Sequence, residues 1–309
     1  MHELLPLSWV RINGIRPVYR DIRLPFSRTR WITSADIPHD YSLPILHEDL
    51  ARSYPDGYIF RGCTPIVESY FRAHKCWRLR TGAEAVLELQ GAHLERKTIR
   101  SSLKRGNKQG FVEEIALNDI TRQLLAQFRR ETKHAHKPQL QHLFRHEPSH
   151  ACRCFVFRAF SGKWLGAITL SPRGKLEVHT ELMLRHRHAP GDIMESLVAG
   201  IFEILKGEGV REWSLGEVPF MMLMQSPEEP LTALEQLMVS LVSTCKHAYD
   251  FEGLYRFKNK FAPIWRPVTL CTSITPSPLM MMELALAMGF TDVLTHASLR
   301  LFTQSLIPA

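Results

Sequence analysis

Apolar and polar positions follow strand and helix periods most clearly in the second half of the chain. They predict strands at 152–160, 164–171 and 176–183, the first two forming a hairpin. Apolar residues spaced three and four apart predict an amphipathic helix over 193–205, which two glycines end. The elements predicted beyond it are a strand at 210–215, helices at 231–246 and 251–261, a strand at 267–272, and a helix that Ser277 caps and that runs to Met288.

The first half shows the same alternation less regularly. A strand at 57–63 precedes a helix that Thr64 caps and that runs to Ala73. The other elements predicted here are paired strands at 77–80 and 83–89, a basic helix within 93–110, a strand at 111–115 and a helix at 119–131. Residues 1–45 have no clean period and stay unassigned, whereas the polar, histidine-rich stretch 134–150 is typical of a connection or mobile loop.

The element order predicts a mixed α/β fold. Three strands, a helix, a strand, two helices, a strand and a helix match the acetyltransferase-like (GNAT) domain, in which helices cross a mixed sheet. The first half reads as a degenerate copy of it. We therefore expect tandem GNAT-like domains: an unassigned segment at 1–45, a degenerate domain at 46–150 and a transferase domain at 151–309.

The composition limits the kinds of partner and the location that we expect for the protein. The 309 residues carry a formal charge of +8, which favours anionic partners, although a solvated basic surface explains it equally well. No apolar run approaches the roughly 18–20 residues that span a bilayer, and the N-terminus lacks a signal sequence, so a cytoplasmic protein is expected. The six cysteines form no CxxC pair, which predicts reduced core cysteines and no metal site.

Cations line one side of the predicted basic helix. They fall within a 120° arc at 100° per residue and are Arg96, Lys97, Arg100, Lys104 and Lys108. Such a stripe suits a phosphate backbone, and a solvated helix face is the alternative.

A carboxylate and a histidine share a strand face further on. Strand alternation places Glu177, His179 and Glu181 on one face of the predicted strand at 176–183. A carboxylate beside a histidine suits proton transfer or recognition of an ammonium group. The alternative is an exposed polar face of an antiparallel sheet.

One lysine of the helix at 251–261 is expected to point inward. Lys258 borders the apolar face made by Leu254 and its neighbours, whereas Arg256 and Lys260 fall on the opposite side. A buried ammonium needs an anionic partner, so Lys258 is a candidate for a cleft, with a snorkelling lysine as the alternative.

The turn before the helix at 193–205 argues against a coenzyme A site. GNAT enzymes that use coenzyme A bind its pyrophosphate there through a glycine-rich loop at the helix N-terminus. This chain has only Gly191 in that turn, Pro190 removes an amide donor, and Asp192 repels phosphate.

Over residues 57–309 the chain resembles the C-terminal synthase domain of the lysyl- and alanyl-phosphatidylglycerol synthases, the multiple peptide resistance factors. That family has Asp-Leu-Met-Arg, Leu-Gly-x-x-Pro, Phe-Lys-x-Lys-Phe, Trp-x-Pro and Gly-Glu-Glu-Ala segments and a basic helix. The corresponding segments here are Glu181-Leu182-Met183-Leu184-Arg185, Leu215-Gly216-Glu217-Val218-Pro219, Phe257-Lys258-Asn259-Lys260-Phe261, Trp265-Arg266-Pro267, Thr81-Gly82-Ala83-Glu84-Ala85 and the helix over 99–110. Glu181 thus replaces the family's Asp, and Arg185 lies one place beyond its Arg.

The resemblance implies two GNAT folds and a tRNA-dependent aminoacyltransferase. The aminoacyl ester on tRNA is already activated, so no cofactor is expected; the partners are aminoacyl-tRNA and a phosphatidylglycerol-like lipid or another hydroxyl or amine acceptor, met at the inner face of the membrane in the lipid case. The catalytic candidates are Glu181, His179 and Lys258, and the substrate-binding candidates are Arg185, Arg256, Lys260 and Glu217. The cation stripe would hold tRNA. The alternatives are another GNAT N-acyltransferase acting on a small amine and a non-catalytic RNA- or membrane-binding relative.

Overall fold

The computed structural model describes residues 4–133, 135, 137–143, 145, 151–221, 229–244 and 250–305. Its strands are β1 (Trp9–Ile12), β2 (Val18–Arg23), β3 (Arg30–Pro38), β4 (Tyr58–Cys63), β5 (Trp77–Glu88), β6 (Gly110–Ile115), β7 (Arg153–Ala159), β8 (Trp164–Pro172), β9 (Glu177–Arg185), β10 (Glu212–Pro219) and β11 (Ile264–Thr272). Its helices are α1 (Leu43–Ser53), α2 (Pro65–Ala73), α3 (Lys97–Gly106), α4 (Asp119–Arg130), α5 (Ile193–Gly207), α6 (Ala233–Thr244), α7 (Phe251–Asn259), α8 (Pro278–Ala287) and α9 (Phe290–Ser305).

All of these strands belong to one large mixed sheet, which confirms the predicted fold class. The order is β1-β3-β4-β11-β5-β10-β9-β8-β7-β6, and β2 pairs with β3 at the edge. The pairs β1–β3, β3–β4 and β9–β10 are parallel, and the remaining neighbours are antiparallel. The unassigned N-terminal segment supplies the edge strands β1 to β3. Because β6 pairs with β7 across position 150, the sheet continues through that point, and the proposed domain limits at 46–150 and 151–309 stay a prediction.

Side-chain caps fix where several helices begin. Thr64, Asn118 and Ser277 each accept a hydrogen bond from the backbone amide three residues further on, which satisfies a donor that the helix itself leaves free. Two of these caps, Thr64 and Ser277, were predicted. The predicted helix at 231–246 is α6, whose last two predicted residues lie outside the described residues, and most of the predicted connection at 134–150 lies outside them too.

Two predicted boundaries are wrong for local reasons. The strands predicted at 77–80 and 83–89 are one strand, β5, because Gly82 lets β10 approach: a Cβ at Gly82 would lie 2.4 Å from the Val218 carbonyl oxygen. The basic helix ends at Gly106, one of the two glycines predicted to stop it, where a Cβ would lie 1.9 Å from Ser196 Oγ on α5. It begins at Lys97 and not at 93. Arg96 is therefore the N-cap of α3, and Lys108 lies beyond its end.

The central core lies between α5 and the strands β7, β8 and β10. Ile193, Leu197 and Ile201 of α5 are buried against Phe155 and Ile168. A second core, under α1 and α2, includes Trp9, Phe60 and Phe71. This arrangement leaves β9, β10 and β5 in the middle of the sheet, between the two cores.

Candidate active site

The parallel strands β9 and β10 separate after a short paired stretch. Ser214 pairs with His179 as the last residue in register, and β10 then bulges at Gly216, whose φ is +89°. A Cβ at Gly216 would lie 3.5 Å from Lys258 Nζ and 3.7 Å from His179 Cε1. The bulge therefore brings a histidine and a lysine to the point where the strands diverge, and glycine is suited to this left-handed backbone.

His179 is 1% exposed and belongs to a chain of hydrogen bonds. Its Nδ1 lies 3.4 Å from Ser214 Oγ. The Ser214 hydroxyl donates to Glu84 Oε2 at 3.2 Å and accepts from the Gly216 amide at 3.1 Å. Because the single hydroxyl proton goes to Glu84, Nδ1 must be the donor toward Ser214. The proton thus lies on Nδ1, and Nε2 keeps a lone pair.

The environment keeps this imidazole neutral. Burial lowers the pKa of His179 well below 6.5, and the nearby charges of Arg173, Arg61 and Lys258 lower it further. The Nε2 atom is buried and has no hydrogen-bond partner among the described residues. A neutral, buried imidazole with an uncommitted lone pair has the properties of a general base.

Lys258 points inward, as the helical wheel predicted. It is 4% exposed, and its Nζ donates to the Glu217 carbonyl oxygen at 3.0 Å. Burial lowers the pKa of Lys258 to about 7, against the opposing effect of Glu217 and Glu84. The groups around its ammonium are Glu217, Gly216 and His179, because β10 bulges toward α7.

Arginines neutralise the carboxylates of this cluster. Glu217 binds Arg61 at 2.7 Å and accepts from the Thr81 hydroxyl at 2.8 Å. Glu84 binds Arg173 at 2.8 Å, and both of these side chains are almost fully buried. Charges buried in this way require such partners, so the site is an interlocked set of ion pairs that holds each group in one position.

Glu181 lies in an adjoining buried group. Its carboxylate accepts hydrogen bonds from Ser171 at 2.7 Å, from Ser8 at 3.1 Å and from the backbone amide of Arg145 at 3.2 Å. The Arg145 guanidinium lies 4.0 Å from Glu181 and 2.7 Å from Asp36. Glu181 and Asp36 therefore form a carboxylate pair that accommodates a cation, here supplied by the chain itself.

Three predicted substrate-binding residues lie away from the cluster. Arg185 is exposed and donates to the Ala189 carbonyl at 2.9 Å. Arg256 is exposed, and Lys260, half exposed, binds Glu195 at 2.6 Å. The binding roles of these three residues stay predictions.

A bulge in β9 explains the position of Arg185. Thr180 pairs with Leu170 but Leu182 pairs with Thr169, so Glu181 is an extra residue and the alternation changes beyond it. Arg185 then pairs with Gly166, whose Cβ position faces Ile193, Met194 and Leu197 of α5. Regular strand alternation would turn Arg185 toward the Glu181 face, and the bulge turns it to the opposite face. Glu177 stays buried but binds Arg211 at the other end of the strand.

The predicted stripe on α3 is exposed along its whole length. Lys97, Arg100, Lys104 and Lys108 form no ion pair with any described residue, and the Arg96 guanidinium donates to the Asn259 carbonyl at 2.7 Å. By contrast, the inward neighbour Arg105 binds Asp192 at 2.6 Å.

The N-terminus of α5 is already occupied by a side-chain anion. Asp192 accepts from Arg105 and from Ser102 at 2.9 Å, and the Arg105 hydrogen bond holds the pKa of Asp192 at about 2. Asp192 precedes α5 without a side-chain hydrogen bond to the helix amides, and its ionised carboxylate repels a phosphate that approaches this helix N-terminus. The residues present therefore do not fit a coenzyme A pyrophosphate, as the sequence indicated.

Sequence reasoning missed several members of the site. Glu84 and Ser214 lie inside or next to the family-like segments, so those segments carried a signal for them. No local pattern marks Arg61 on β4 or Arg173 in the turn after β8. The same holds for the group around Glu181, which comprises Ser8, Asp36, Arg145 and Ser171.

The described part of the chain was compared with the requirements of a metal site and of a membrane-spanning helix. No group of three or more His, Cys, Asp or Glu side chains there is arranged to hold a metal ion. The described cysteines, Cys63, Cys76, Cys152, Cys154 and Cys271, are buried and form no disulfide with one another, while Cys245 lies outside. No single described helix is long and apolar enough to cross a membrane; Pro278–Ala287 and Phe290–Ser298 meet that test only jointly and are bent by 72°.

The mixed sheet with its diverging parallel pair defines a GNAT-like acyltransferase fold. Two solved structures share it. The structure of L-PGS from Bacillus licheniformis is 21% identical, with a TM-score of 0.58 over 80% of this chain and 76% of that one. The C-terminal domain of a protein described as a lysylphosphatidylglycerol synthetase from Agrobacterium fabrum is 22% identical, with a TM-score of 0.59 over 79% and 76%.

The family can be stated from the sequence match. The family described as "Phosphatidylglycerol lysyltransferase, C-terminal" matches residues 46–272, which is most of the chain. The chain belongs to this family, and the resemblance read from its motifs is confirmed. None of the curated protein sequences compared with the chain matches it.

Proposed function

We propose that this chain transfers an aminoacyl group from aminoacyl-tRNA to a hydroxyl group of a phosphatidylglycerol-like lipid. The observation that carries the proposal is His179, a neutral and buried imidazole with a free Nε2 lone pair where β9 and β10 diverge. Membership of the lysyltransferase family supports the lipid acceptor. A polyphosphate donor is supported by cations that form no ion pair with a described residue: Lys97, Arg100 and Lys104 of α3, and Lys108 just beyond its end. A cytoplasmic protein working peripherally at the inner face of the membrane fits both substrates.

The proposed reaction balances without any additional reactant. The acceptor hydroxyl gives its proton to His179 Nε2 while its oxygen attacks the ester carbonyl of the aminoacyl-tRNA. A new ester bond forms, the bond from the carbonyl carbon to the ribose oxygen breaks, and His179 returns the proton to that oxygen. The donor ester is already activated, so no nucleotide or metal takes part.

The neighbouring groups have separate roles in this proposal. Lys258, with a pKa of about 7, supplies a positive charge for the lipid phosphate or for the oxygen that becomes negative in the transition state. Ser214 and Glu84 hold His179 in the tautomer that leaves Nε2 free. Glu181 serves as counter-ion to the substrate ammonium. The Arg145 guanidinium 4.0 Å away shows that a cation fits beside this carboxylate.

The competing proposal, a coenzyme A-dependent N-acyltransferase, has less support. Its pyrophosphate site is the N-terminus of α5, where Asp192 carries a negative charge and is tied to α3. Measurable acetyl-coenzyme A binding in calorimetry would reverse this order of preference.

A direct transfer assay tests the proposal. Aminoacyl-tRNA carrying a labelled amino acid is mixed with the protein and phosphatidylglycerol micelles, and labelled lipid is measured after extraction. Label should appear in the lipid only with intact aminoacyl-tRNA. Absence of labelled lipid with every aminoacyl-tRNA supplied would refute the lipid acceptor.

The tRNA part has its own test. Lys97→Glu, Arg100→Glu and Lys104→Glu together should abolish tRNA binding, and wild-type affinity should fall by orders of magnitude between about 50 and 200 mM salt. The matched control reverses Arg16, Arg23 and Arg28, which are also exposed but lie outside the stripe. Equal tRNA affinity in both triple variants would contradict a role for the stripe.

A further inference from the structure

Two exposed phenylalanine rings lie against each other at the end of the basic stripe. Phe111 is 46% exposed and Phe160 is 69% exposed, and their ring centroids are 6.4 Å apart with planes inclined by 39°. Phe111 is the second residue of β6, and Phe160 follows β7 in the turn before β8. Exposed aromatic pairs of this kind have an unfavourable contact with water and commonly mark a binding surface.

The pair is continuous with the α3 cations. Lys108 precedes Phe111 by three residues, and the Phe160 amide donates to the Gln109 carbonyl at 3.2 Å. Lys104 and Lys108 form no ion pair with a described residue, whereas Arg158, which pairs with Phe111 across the strands, is neutralised by Glu113. The positive charge available to a ligand thus comes from Lys104 and Lys108, which lie beside the rings at the C-terminal end of α3.

A groove joins the two features. An open cavity of about 720 Å³ lies between α3, α5 and β6. Its lining includes Phe111, Leu103, Arg100 and Asn107, together with the carboxylate side chains of Glu95 and Glu203. The cavity thus combines the Phe111 ring, the apolar Leu103 side chain, the Arg100 guanidinium and the Asn107 amide. Unpaired nucleotides are bound by this combination, because bases stack on aromatic rings and cations hold the phosphates.

We propose that Phe111 and Phe160 form a stacking platform for unpaired nucleotides of the RNA donor, beside the phosphate-binding cations of α3. This rests on the proposed function, in which the donor is an aminoacyl-tRNA. The platform reads no base in particular, since every base has an aromatic face. A paired stem, whose bases are already stacked, would contact the cations but not the rings.

Charge favours RNA over a membrane for this surface. A bilayer-binding face needs apolar side chains that insert together, whereas here the rings stand at one end of a cation track whose steps of three and four residues rise about 4.5–6 Å. Such a track suits successive phosphates of a chain.

The test compares Phe111→Ala/Phe160→Ala with wild type in tRNA-binding titrations. Stacking contributes about 1–3 kcal/mol per base, so we expect affinity to fall about tenfold or more. The dependence of the logarithm of the affinity on the logarithm of the salt concentration should keep its slope, because no phosphate contact is lost. Phe26→Ala is the matched control: Phe26 is 65% exposed and lies in the β2–β3 turn.

Two RNA probes distinguish stacking on unpaired bases from contacts with a paired stem. The double variant should bind an unpaired oligonucleotide more weakly than wild type does, and a blunt-ended hairpin equally well. Wild-type affinity for both probes in the folded double variant, shown by an unchanged thermal unfolding curve, would overturn the platform. Retained RNA affinity with lost binding to phosphatidylglycerol vesicles would overturn it in favour of a lipid surface. If wild type itself binds no tRNA, the proposed function fails instead.

Discussion

Replacing Lys258 by methionine, with Lys260→Met as its partner, separates two lysines that the family-like segment treats alike. Lys258 is buried and donates to the Glu217 carbonyl. Lys260 is half exposed and binds Glu195. Methionine keeps most of the side-chain volume and removes the amine, so packing changes little in either variant. The difference between the two variants therefore measures the effect of the buried Lys258 charge.

The size of the effect on stability follows from the pKa of Lys258. One pKa unit corresponds to about 1.4 kcal/mol, so lowering the pKa from 10.5 to about 7 means that the charged amine destabilises the fold by about 5 kcal/mol. Between those two pH values the unfolded chain holds a proton that the folded chain lacks, so the free energy of unfolding rises with pH. Below pH 7 both states are protonated and the penalty is constant.

Lys258→Met should therefore be more stable than wild type near pH 7, by about 3 kcal/mol once the lost hydrogen bond is counted. Its free energy of unfolding should also lack the rise above pH 7. Lys260→Met should change stability by no more than about 1 kcal/mol, as expected for an exposed ion pair. Urea denaturation at several pH values measures both quantities.

Activity should change in the opposite direction. A charge that stabilises the transition state contributes about 2–4 kcal/mol, so Lys258→Met should lose about 30- to 1,000-fold in transfer rate, while Lys260→Met loses far less. The rate is that of labelled lipid formation from aminoacyl-tRNA. Equal losses in the two variants, or a larger loss at Lys260, would refute the reasoning. So would a Lys258→Met protein that keeps the rise in stability above pH 7.

Three further predictions concern other members of the site. His179→Gln should lower the transfer rate about 100-fold or more without changing tRNA affinity in a binding titration, and an unchanged rate would exclude His179 as the base. Arg145→Met should lower the free energy of unfolding in urea by about 3–5 kcal/mol, because Asp36 and Glu181 lose a buried cation; adding Asp36→Asn should restore part of it, and no loss would contradict the pairing. Gly216→Ala should lower it by at least about 1–2 kcal/mol, since its φ of +89° is strained for alanine, and thermal unfolding should show a clear decrease.

The fold could be predicted because hydrophobic periods dominate the elements that form its centre. The middle of β7 and of β8 is buried on both faces, and so is the first half of α5. Apolar residues are therefore frequent in all three elements, and a sequence pattern detects them. The edge strands β1 to β3 carry no such period. These strands are ordered by pairing with one another and with β4, which no local pattern shows, so residues 1–45 received no assignment.

The site could be predicted only in part, because its geometry depends on irregularities of the sheet. His179 and Lys258 follow from regular alternation and a regular helical wheel, and both point inward as expected. The bulge at Glu181 reverses which side chains of β9 point to each face of the sheet beyond that residue. It therefore places Arg185 on the face opposite Glu181. Arg61 comes from β4, far away in sequence, and Arg173 from the turn between β8 and β9. Nothing local distinguishes a buried arginine from a solvated one.

The charges around α5 explain how a GNAT-like fold could exchange one phosphate-bearing donor for another. In coenzyme A enzymes the anion lies at the N-terminus of this helix, where free amides attract it. Here Asp192 fills that position, and Arg105 and Ser102 of α3 bind it, which fixes α3 against α5. Fixing α3 in this way turns its opposite side to solvent, and that side carries the cations without ion pairs to described residues. In the proposed function, the anion-binding surface has therefore moved from one helix end to one helix face. A helix end suits a single pyrophosphate, whereas a face several turns long suits the repeated phosphates of an RNA.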